Sequence, residues 1–242
     1  MTQTDLKQEV SLEAVSENAL LLTWQEKICP KQHRHIIACR DAIHRQFAGL
    51  VIDTVASYNS LMVYYHFQLI SLEKFTEQLR QVTKQTRETG MGGTEGTILE
   101  IPVYYGGQAG WDLPHVAKQT SLSPEQVIAL HQEPVYRAYA LGFTPGFCYL
   151  GSLPSRLQLP RRAVPRASVP KGAVAIAGRQ TAVYPNASPG GWHILGQTPA
   201  AMYTVTAQEF QPLITPGQLV RFKAINADTF TAMSGDLVPE GK

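Results

Sequence analysis

The chain has 242 residues, 44% of them hydrophobic and 17% charged, with a net charge of +2. This composition excludes a disordered polar chain and a protein that binds nucleic acid over its whole surface. It is long enough to bury a core without disulfides or metal, and its three widely spaced cysteines fit reduced thiols. No apolar run approaches the roughly 20 residues of a membrane-spanning helix. Residues 1–16 lack the basic and apolar stretches of an export signal, so a cytoplasmic protein with no membrane partner is expected.

In chain order, residues 19–24 form a continuous apolar strand. A helix follows over about 31–48, with Ile36, Ile43, Phe47 and Leu50 near one face and Pro30 at its first turn. Residues 51–56 and 61–67 read as a hairpin, and Ser71 caps a second helix that buries Leu72, Phe75, Leu79 and Val82. The order β-α-β-β-α predicts a small α/β sandwich with both helices on one face. Residues 90–96 superficially resemble a dinucleotide fingerprint. The sixth position is Glu95 and a helix precedes it where a strand belongs, so the stretch reads as a linker. A boundary near residue 92 separates a domain 1–92 from a domain 93–242.

The second domain opens with a strand over 97–105. Ser123, Pro124 and Gln126 then form a capping box with proline at the first helical position. Between Gly142 and Pro199 there are 8 glycines and 8 prolines, interspersed with Phe, Val, Ile, Tyr and Trp. Short strands such as 174–177 and 193–196, with a closing strand at 218–225 and a loose tail, predict a β-barrel. The fold class is therefore α+β.

Charge is unevenly spread. No Asp or Glu lies between Glu133 and Glu209, whereas Arg137, Arg156, Arg161, Arg162, Arg166, Lys171 and Arg179 do. That stretch carries +7 and the remainder −5. Arg161, Arg162 and Arg166 sit on a backbone stiffened by Pro160 and Pro165, and guanidinium forks pair bidentately with phosphate or carboxylate. The alternative is that they meet acidic groups of the protein itself. Phe143, Phe147 and Tyr149, set among Gly142, Pro145, Gly146 and Gly151, either wall a small ligand or fill the core. Gly190 and Gly191, after Ser188 and before Trp192, offer amides for an anion.

Other chemistries fit poorly. Ser188 lacks the leading glycine of a nucleophile elbow, and no carboxylate lies near His193 in sequence to orient it. Cys148, with His131 or His193 as base, reads more simply as small core filling. Cys29, His33, His35 and Cys39 match no zinc spacing. There is no phosphate loop and no carboxylate pair for Mg²⁺ in the basic segment.

Four motifs in order resemble the family of 5-oxoprolinase B subunits, also described as allophanate hydrolase subunit 1 or KipI-type. They are Leu-Gly-Phe-Thr-Pro-Gly-Phe-Cys-Tyr-Leu-Gly at 141–151, Pro-Arg-Arg-Ala-Val-Pro-Arg at 160–166, Val-Ala-Ile-Ala-Gly-Arg-Gln-Thr at 174–181, and Tyr-Pro-Asn-Ala-Ser-Pro-Gly-Gly-Trp-His-Ile-Leu-Gly-Gln-Thr-Pro at 184–199. The resemblance implies a cyclophilin-like β-barrel behind a small α/β domain. It implies a bacterial assembly with homologues of the 5-oxoprolinase C and A subunits. That assembly opens 5-oxo-L-proline, a small carboxylated amide, to L-glutamate using ATP with Mg²⁺. A five-membered lactam is a poor electrophile, and phosphorylating its carbonyl oxygen creates a leaving group, with cations needed on the developing charge. On this reading the chain contributes part of a composite site and is inactive alone.

Carried over residue by residue, the resemblance makes Phe143, Pro145, Gly146, Phe147 and Tyr149 one pocket wall. Arg161, Arg162 and Arg166 become the anion-facing group. Gln180, Thr181, Ser188, Gly190, Gly191, Trp192 and Thr198 complete a shared surface, with Arg162, Arg166 and Gln180 nearest the chemistry. No resident metal is implied for this chain. Family members commonly carry Arg where Gln197 stands and Glu where Gln108 stands, which removes a possible phosphate contact and a possible carboxylate. The alternative function is a KipI-type inhibitor that binds a sensor histidine kinase. Prolyl isomerisation rests on fold analogy alone.

Overall fold

The computed structural model describes residues 10–25, 28–88, 96–207, 209–233 and 235–237. The chain divides into two compact units, residues 1–95 and 96–242. The glycine-rich stretch read as a linker lies outside the described residues apart from Gly96.

The first unit is a four-stranded antiparallel sheet in the order β1-β2-β4-β3, formed by β1 (Ser11–Ser16), β2 (Ala19–Thr23), β3 (Val51–Ala56) and β4 (Ser60–Tyr65). Alternation puts Leu61, Val63 and Tyr65 of β4 on the buried face. Against them pack α1 (Pro30–Gln46), through Ile36, Cys39 and Ile43, and α2 (Leu72–Glu88), through Phe75, Leu79 and Val82. Each stripe follows the three-and-four spacing of a helix face. Two expectations change here. An edge strand, β1, precedes the first expected one; its polar, largely exposed residues hide it from apolar patterning. Leu72 is 38% exposed, because it starts the helix one turn before the buried stripe.

The second unit is a seven-stranded sheet in the order β12-β9-β10-β7-β6-β15-β5. Its strands are β5 (Ile98–Val103), β6 (Tyr136–Leu141), β7 (Cys148–Gly151), β9 (Ala173–Ala177), β10 (Gln180–Val183), β12 (His193–Gln197) and β15 (Leu219–Ala224). All neighbours are antiparallel except β5 and β15, which run parallel from the two ends of the unit. Tyr104, one residue past β5, exchanges both backbone hydrogen bonds with Gln197, at 2.8 and 2.9 Å. That bridge joins the outermost strands and nearly closes a barrel. Ile101, Val103, Leu150, Val174, Ile176 and Leu195 fill its interior.

Two helices flank the barrel. Helix α3 (Leu113–Thr120) follows Asp112, and α4 (Pro124–Gln132) starts with the expected capping box, in which the Ser123 hydroxyl and the Gln126 side chain each accept the other's backbone N–H. Two small two-stranded antiparallel sheets, the long-range pair β8 (Arg166–Val169) with β11 (Ser188–Gly190) and the hairpin β13 (Tyr203–Val205) with β14 (Phe210–Pro212), lie outside the main sheet. The expected loose tail holds a short helix, α5 (Ala227–Ala232), capped by Asn226 accepting from the Thr229 amide. The fold is α+β, as the patterning predicts. Among the described residues no helix is long and apolar enough to cross a membrane.

Candidate functional site

The outer face of β9 and β10 is paved with small side chains, Ala173, Ala175, Ala177 and Ala182, all buried. Over this floor Phe147 meets four rings: Phe143 at 5.4 Å, Tyr149 at 4.9 Å, Tyr184 at 5.4 Å and Trp192 at 5.8 Å between centroids. Three of these contacts involve the residues expected to form a pocket wall or its facing surface. Phe147 and Trp192 are themselves buried, Tyr149 is half-buried, and Phe143 stands 60% exposed.

The loop before β7 is bent to make this arrangement. Phe143 has φ +74°, a conformation that bulky side chains rarely adopt, and Gly146 has φ +83°. A Cβ on Gly146 would come within 2.7 Å of the Tyr203 ring, so glycine there serves both the turn and the close approach. Pro145 is exposed at the loop. Strained backbone of this kind concentrates at binding sites, where surrounding packing holds it.

The arginine loop and the Ser188-to-His193 segment are zipped together. Gly190 pairs with Arg166 across β11 and β8, and the Arg162 amide donates to the Gly191 carbonyl at 2.8 Å. The Trp192 backbone amide is bonded to the Tyr184 hydroxyl, while burial pushes that phenol up to about 12. Arg161, exposed, and Arg166 both act electrostatically on Tyr184, which places the cationic loop beside the aromatic cluster.

Asp112 stands at the centre of the loop's charge. Its carboxylate is nearly inaccessible; it accepts from Arg162 at 2.6 Å, from Arg166 twice at 2.9 Å, and from the Ile194 amide at 2.7 Å. The Asp112 amide returns a bond to the Ile194 carbonyl at 2.9 Å. Burial pushes this carboxyl up, but the Arg166 and Ile194 hydrogen bonds and the two guanidinium charges outweigh it, so its pKa is lowered. The Arg166 guanidinium also lies 5.2 Å above the Trp111 ring, in cation–π range. Two of the three expected anion-facing arginines thus already hold an internal carboxylate, and the cluster of Asp112, Arg162 and Arg166 carries +1 rather than the +2 of its arginines alone.

His193 completes the shell. Its Nε2 lies 2.9 Å from the Pro160 carbonyl, which accepts only, so Nε2 carries the proton. Burial lowers its pKa, with opposing contributions from Pro160 and Asp112, and His115 stacks on its ring at 5.5 Å. In sequence His193 has no nearby acid; in the fold Asp112 supplies one from 81 residues away.

Other expected site residues lie elsewhere. Thr181 is fully buried and belongs to an interior chain. Tyr105 hydroxyl bonds His131 Nδ1 at 2.8 Å, His131 Nε2 bonds Thr181 Oγ1 at 2.9 Å, and Thr181 donates to the Ala175 carbonyl at 3.0 Å. Gln180 begins β10 opposite Gly151 and Ala177, half-buried. Thr198 is buried, with its hydroxyl accepting from the Ala200 amide. Ser188, by contrast, stays in the zipped segment, half-buried on β11 opposite Val169, and its Oγ has no partner.

Cys148 is buried and its thiol is pushed up to about 12, which removes it as a nucleophile at neutral pH. Among the described residues no three His, Cys, Asp or Glu side chains come together to hold a metal ion. His35 instead bonds Trp24 and Thr83, and Cys39 bonds Thr86. The described residues do not fit a nucleotide with Mg²⁺ held by this chain alone, because the Arg162 and Arg166 charges are engaged by Asp112 and no carboxylate group is assembled for the cation among them. Asp112 is the member of the cluster that motif reading misses, and His193, considered in sequence only as a base for Cys148 or Ser188, comes under its electrostatic influence in the fold.

Comparison with known proteins gives consistent results. Residues 10–213 match the family model for the carboxyltransferase domain, subdomain C and D. The chain is 37% identical over 209 residues to the 5-oxoprolinase B subunit of Haemophilus influenzae, covering 86% of this chain and 94% of that protein. It is 36% identical over 231 residues to the 5-oxoprolinase B subunit of Bacillus subtilis, covering 91% and 95%. Among solved structures it resembles TTHA0988 with a TM-score of 0.74 at 38% identity, covering 86% of this chain but 40% of that longer one. The urea carboxylase of Kluyveromyces lactis shares the fold at 14% identity and a TM-score of 0.69, over 95% of this chain and 23% of that one.

Proposed function

The chain belongs to the family of 5-oxoprolinase B subunits, and from that premise we propose that it works within an assembly that opens 5-oxo-L-proline to L-glutamate. The observation that supports this most strongly is the joining of two sequence motifs in one place. The arginine loop at 160–166 is hydrogen-bonded along Gly190 and Gly191, directly beside the Phe147 and Trp192 rings. Aromatic walls with a small number of fixed cationic donors suit a compact ring that carries a carboxylate and an amide.

In this reading the substrate ring lies against the aromatic cluster, and exposed Arg161 meets its carboxylate. Arg162, held by Asp112 so that little ordering is needed, faces the amide. The site is composite. Homologues of the 5-oxoprolinase C and A subunits complete it, and ATP with Mg²⁺ is held by those partners, since this chain's residues do not fit the nucleotide.

The test is reconstitution. The purified chain alone should form no glutamate from 5-oxo-L-proline, and glutamate should appear when the C and A homologues and ATP are added. Absence of glutamate from the full mixture would remove the proposal.

A further inference from the structure

The β13–β14 hairpin has one polar and one apolar face. Its register sets Tyr203 opposite Pro212, Thr204 opposite Gln211 and Val205 opposite Phe210. Strand alternation therefore puts Tyr203, Val205, Phe210 and Pro212 on one face, and Thr204 and Gln211 on the other. At the far end of the apolar face Val205 is 68% exposed and Phe210 41%. The near end is half-buried. There Tyr203 packs on Phe210 at 5.1 Å between ring centroids, donates its hydroxyl to Asn186 Oδ1 at 3.0 Å, and covers Gly146 so closely that no Cβ fits between them.

A lone two-stranded hairpin is marginally stable in water, and among the described residues this one pairs with no third strand. Its apolar face is also continuous with the wall of the candidate site. Gly146, which Tyr203 covers, belongs to the loop that carries Phe143, and exposed Phe143 packs on Phe147 at 5.4 Å. Phe143, Tyr203, Phe210 and Val205 thus form one apolar ridge running from the aromatic cluster out along the hairpin. A ridge of this kind marks an interaction surface rather than scattered surface residues. Glu209 stands exposed at the hairpin turn, where its amide donates to Thr206 Oγ1 and its carbonyl accepts from the Thr206 amide. It is the first acidic residue in the sequence after Glu133.

We propose that the apolar face of the β13–β14 hairpin is where the chain docks a partner subunit, one whose contact patch is apolar and presents a Lys or Arg to Glu209. The inference rests on the function proposed above, in which another polypeptide completes the site, and it names the surface that holds that polypeptide. Docking buries Val205 and Phe210, the large apolar anchors that dominate interface energies. Because the ridge runs into Phe143, the same contact brings the partner's groups to the open side of the aromatic cluster. Thr204 and Gln211, on the polar face, stay in solvent.

The test is association of the chain with its C and A homologues, followed by biolayer interferometry. Val205→Asp should weaken binding by at least about tenfold, and Phe210→Ser by about tenfold. Thr204→Asp places the same charge one residue away on the opposite face and should change binding by less than about twofold. Thermal melts of Val205→Asp and Thr204→Asp alone should coincide with the parent, since both positions are exposed. Glu209→Lys should weaken binding severalfold at low salt and lose that effect at about 0.5 M salt. Binding unaltered by Val205→Asp, or weakened equally by Thr204→Asp, overturns the inference, and so does the absence of any association. Self-association that Val205→Asp abolishes while partner binding persists assigns the face to a second copy and overturns it as well. The two proposals separate: glutamate formation with binding insensitive to Val205→Asp removes the docking surface and keeps the 5-oxoprolinase reading. Binding that Val205→Asp disrupts, in a mixture that forms no glutamate, does the reverse.

Discussion

Asp112 grips Arg166 through both carboxylate oxygens, each 2.9 Å from a guanidinium nitrogen, while one of the same oxygens takes Arg162 at 2.6 Å. This bidentate pairing, at a carboxylate 3% exposed, converts a loop of like charges into an ordered cluster. Asp112→Asn should therefore cost stability twice over, by losing the pairing and by leaving two partly buried guanidinium groups in mutual repulsion. The expected loss is about 3 kcal/mol, the lower end for a broken buried pair because the Arg162 side chain stays 30% exposed. Urea denaturation at pH 7 measures it, and an unchanged midpoint would show that the pairing contributes nothing net.

The interior chain through His131 gives a pH dependence. Burial lowers the His131 pKa from 6.5 to about 3, and the imidazole is neutral in the fold. Between those values the unfolded chain takes up a proton that the folded chain refuses. The contribution is fully present above about pH 6.5 and declines as pH falls, by up to about 1.4 kcal/mol per pH unit until the folded value is reached. His35 and His193, also lowered by burial, act in the same direction. Urea midpoints at pH 7, 6 and 5 should fall in sequence, and His131→Phe should make that decline shallower.

Motif density and periodicity reveal much of this architecture, but not its long-range pairings. The Ser123 capping box, the β3–β4 hairpin and the helix faces are local, so spacing alone exposes them. The Asp112 cluster is not local: its bonds reach 50 and 54 residues ahead, and a carboxylate outside the acid-free stretch gives no hint that it serves it. Barrel closure through Tyr104 and Gln197 is equally invisible, being a backbone bridge between strands far apart in sequence. Helix α3 escapes notice because it is only 8 residues long, with a proline in its first turn and no side-chain cap hydrogen bond at Asp112 to mark its start. Thr181 shares a motif with site candidates, yet strand alternation turns it inward to His131.

Thiol reactivity offers a third check. Cys148 is pushed up to about 12 and Cys39 to about 11 by burial, the latter opposed by its Thr86 hydrogen bond, while Cys29 is half-buried. A disulfide reagent at pH 8 should titrate one thiol rapidly in the native protein and three in guanidinium chloride. Rapid labelling of Cys148 would contradict the closed barrel.

The aromatic cluster separates folding from binding. Phe147 is buried among four rings, so Phe147→Ala should cost about 3–5 kcal/mol. Phe143 is largely exposed with φ +74°, so Phe143→Gly should leave stability unchanged or raise it by up to about 1 kcal/mol while weakening lactam binding. Thermal melts with calorimetric binding distinguish the two.

Glutamate production by the assembled enzyme carrying Arg162→Ala probes the site most directly, because Arg166 keeps both of its bonds to Asp112 and the fold is retained. With assembly intact, kcat/KM for 5-oxo-L-proline should fall by about a hundredfold, as for a lost charged contact at a reacting group. Turnover equal to that of the unaltered enzyme would mean that the arginine loop is surface structure and that the substrate binds elsewhere.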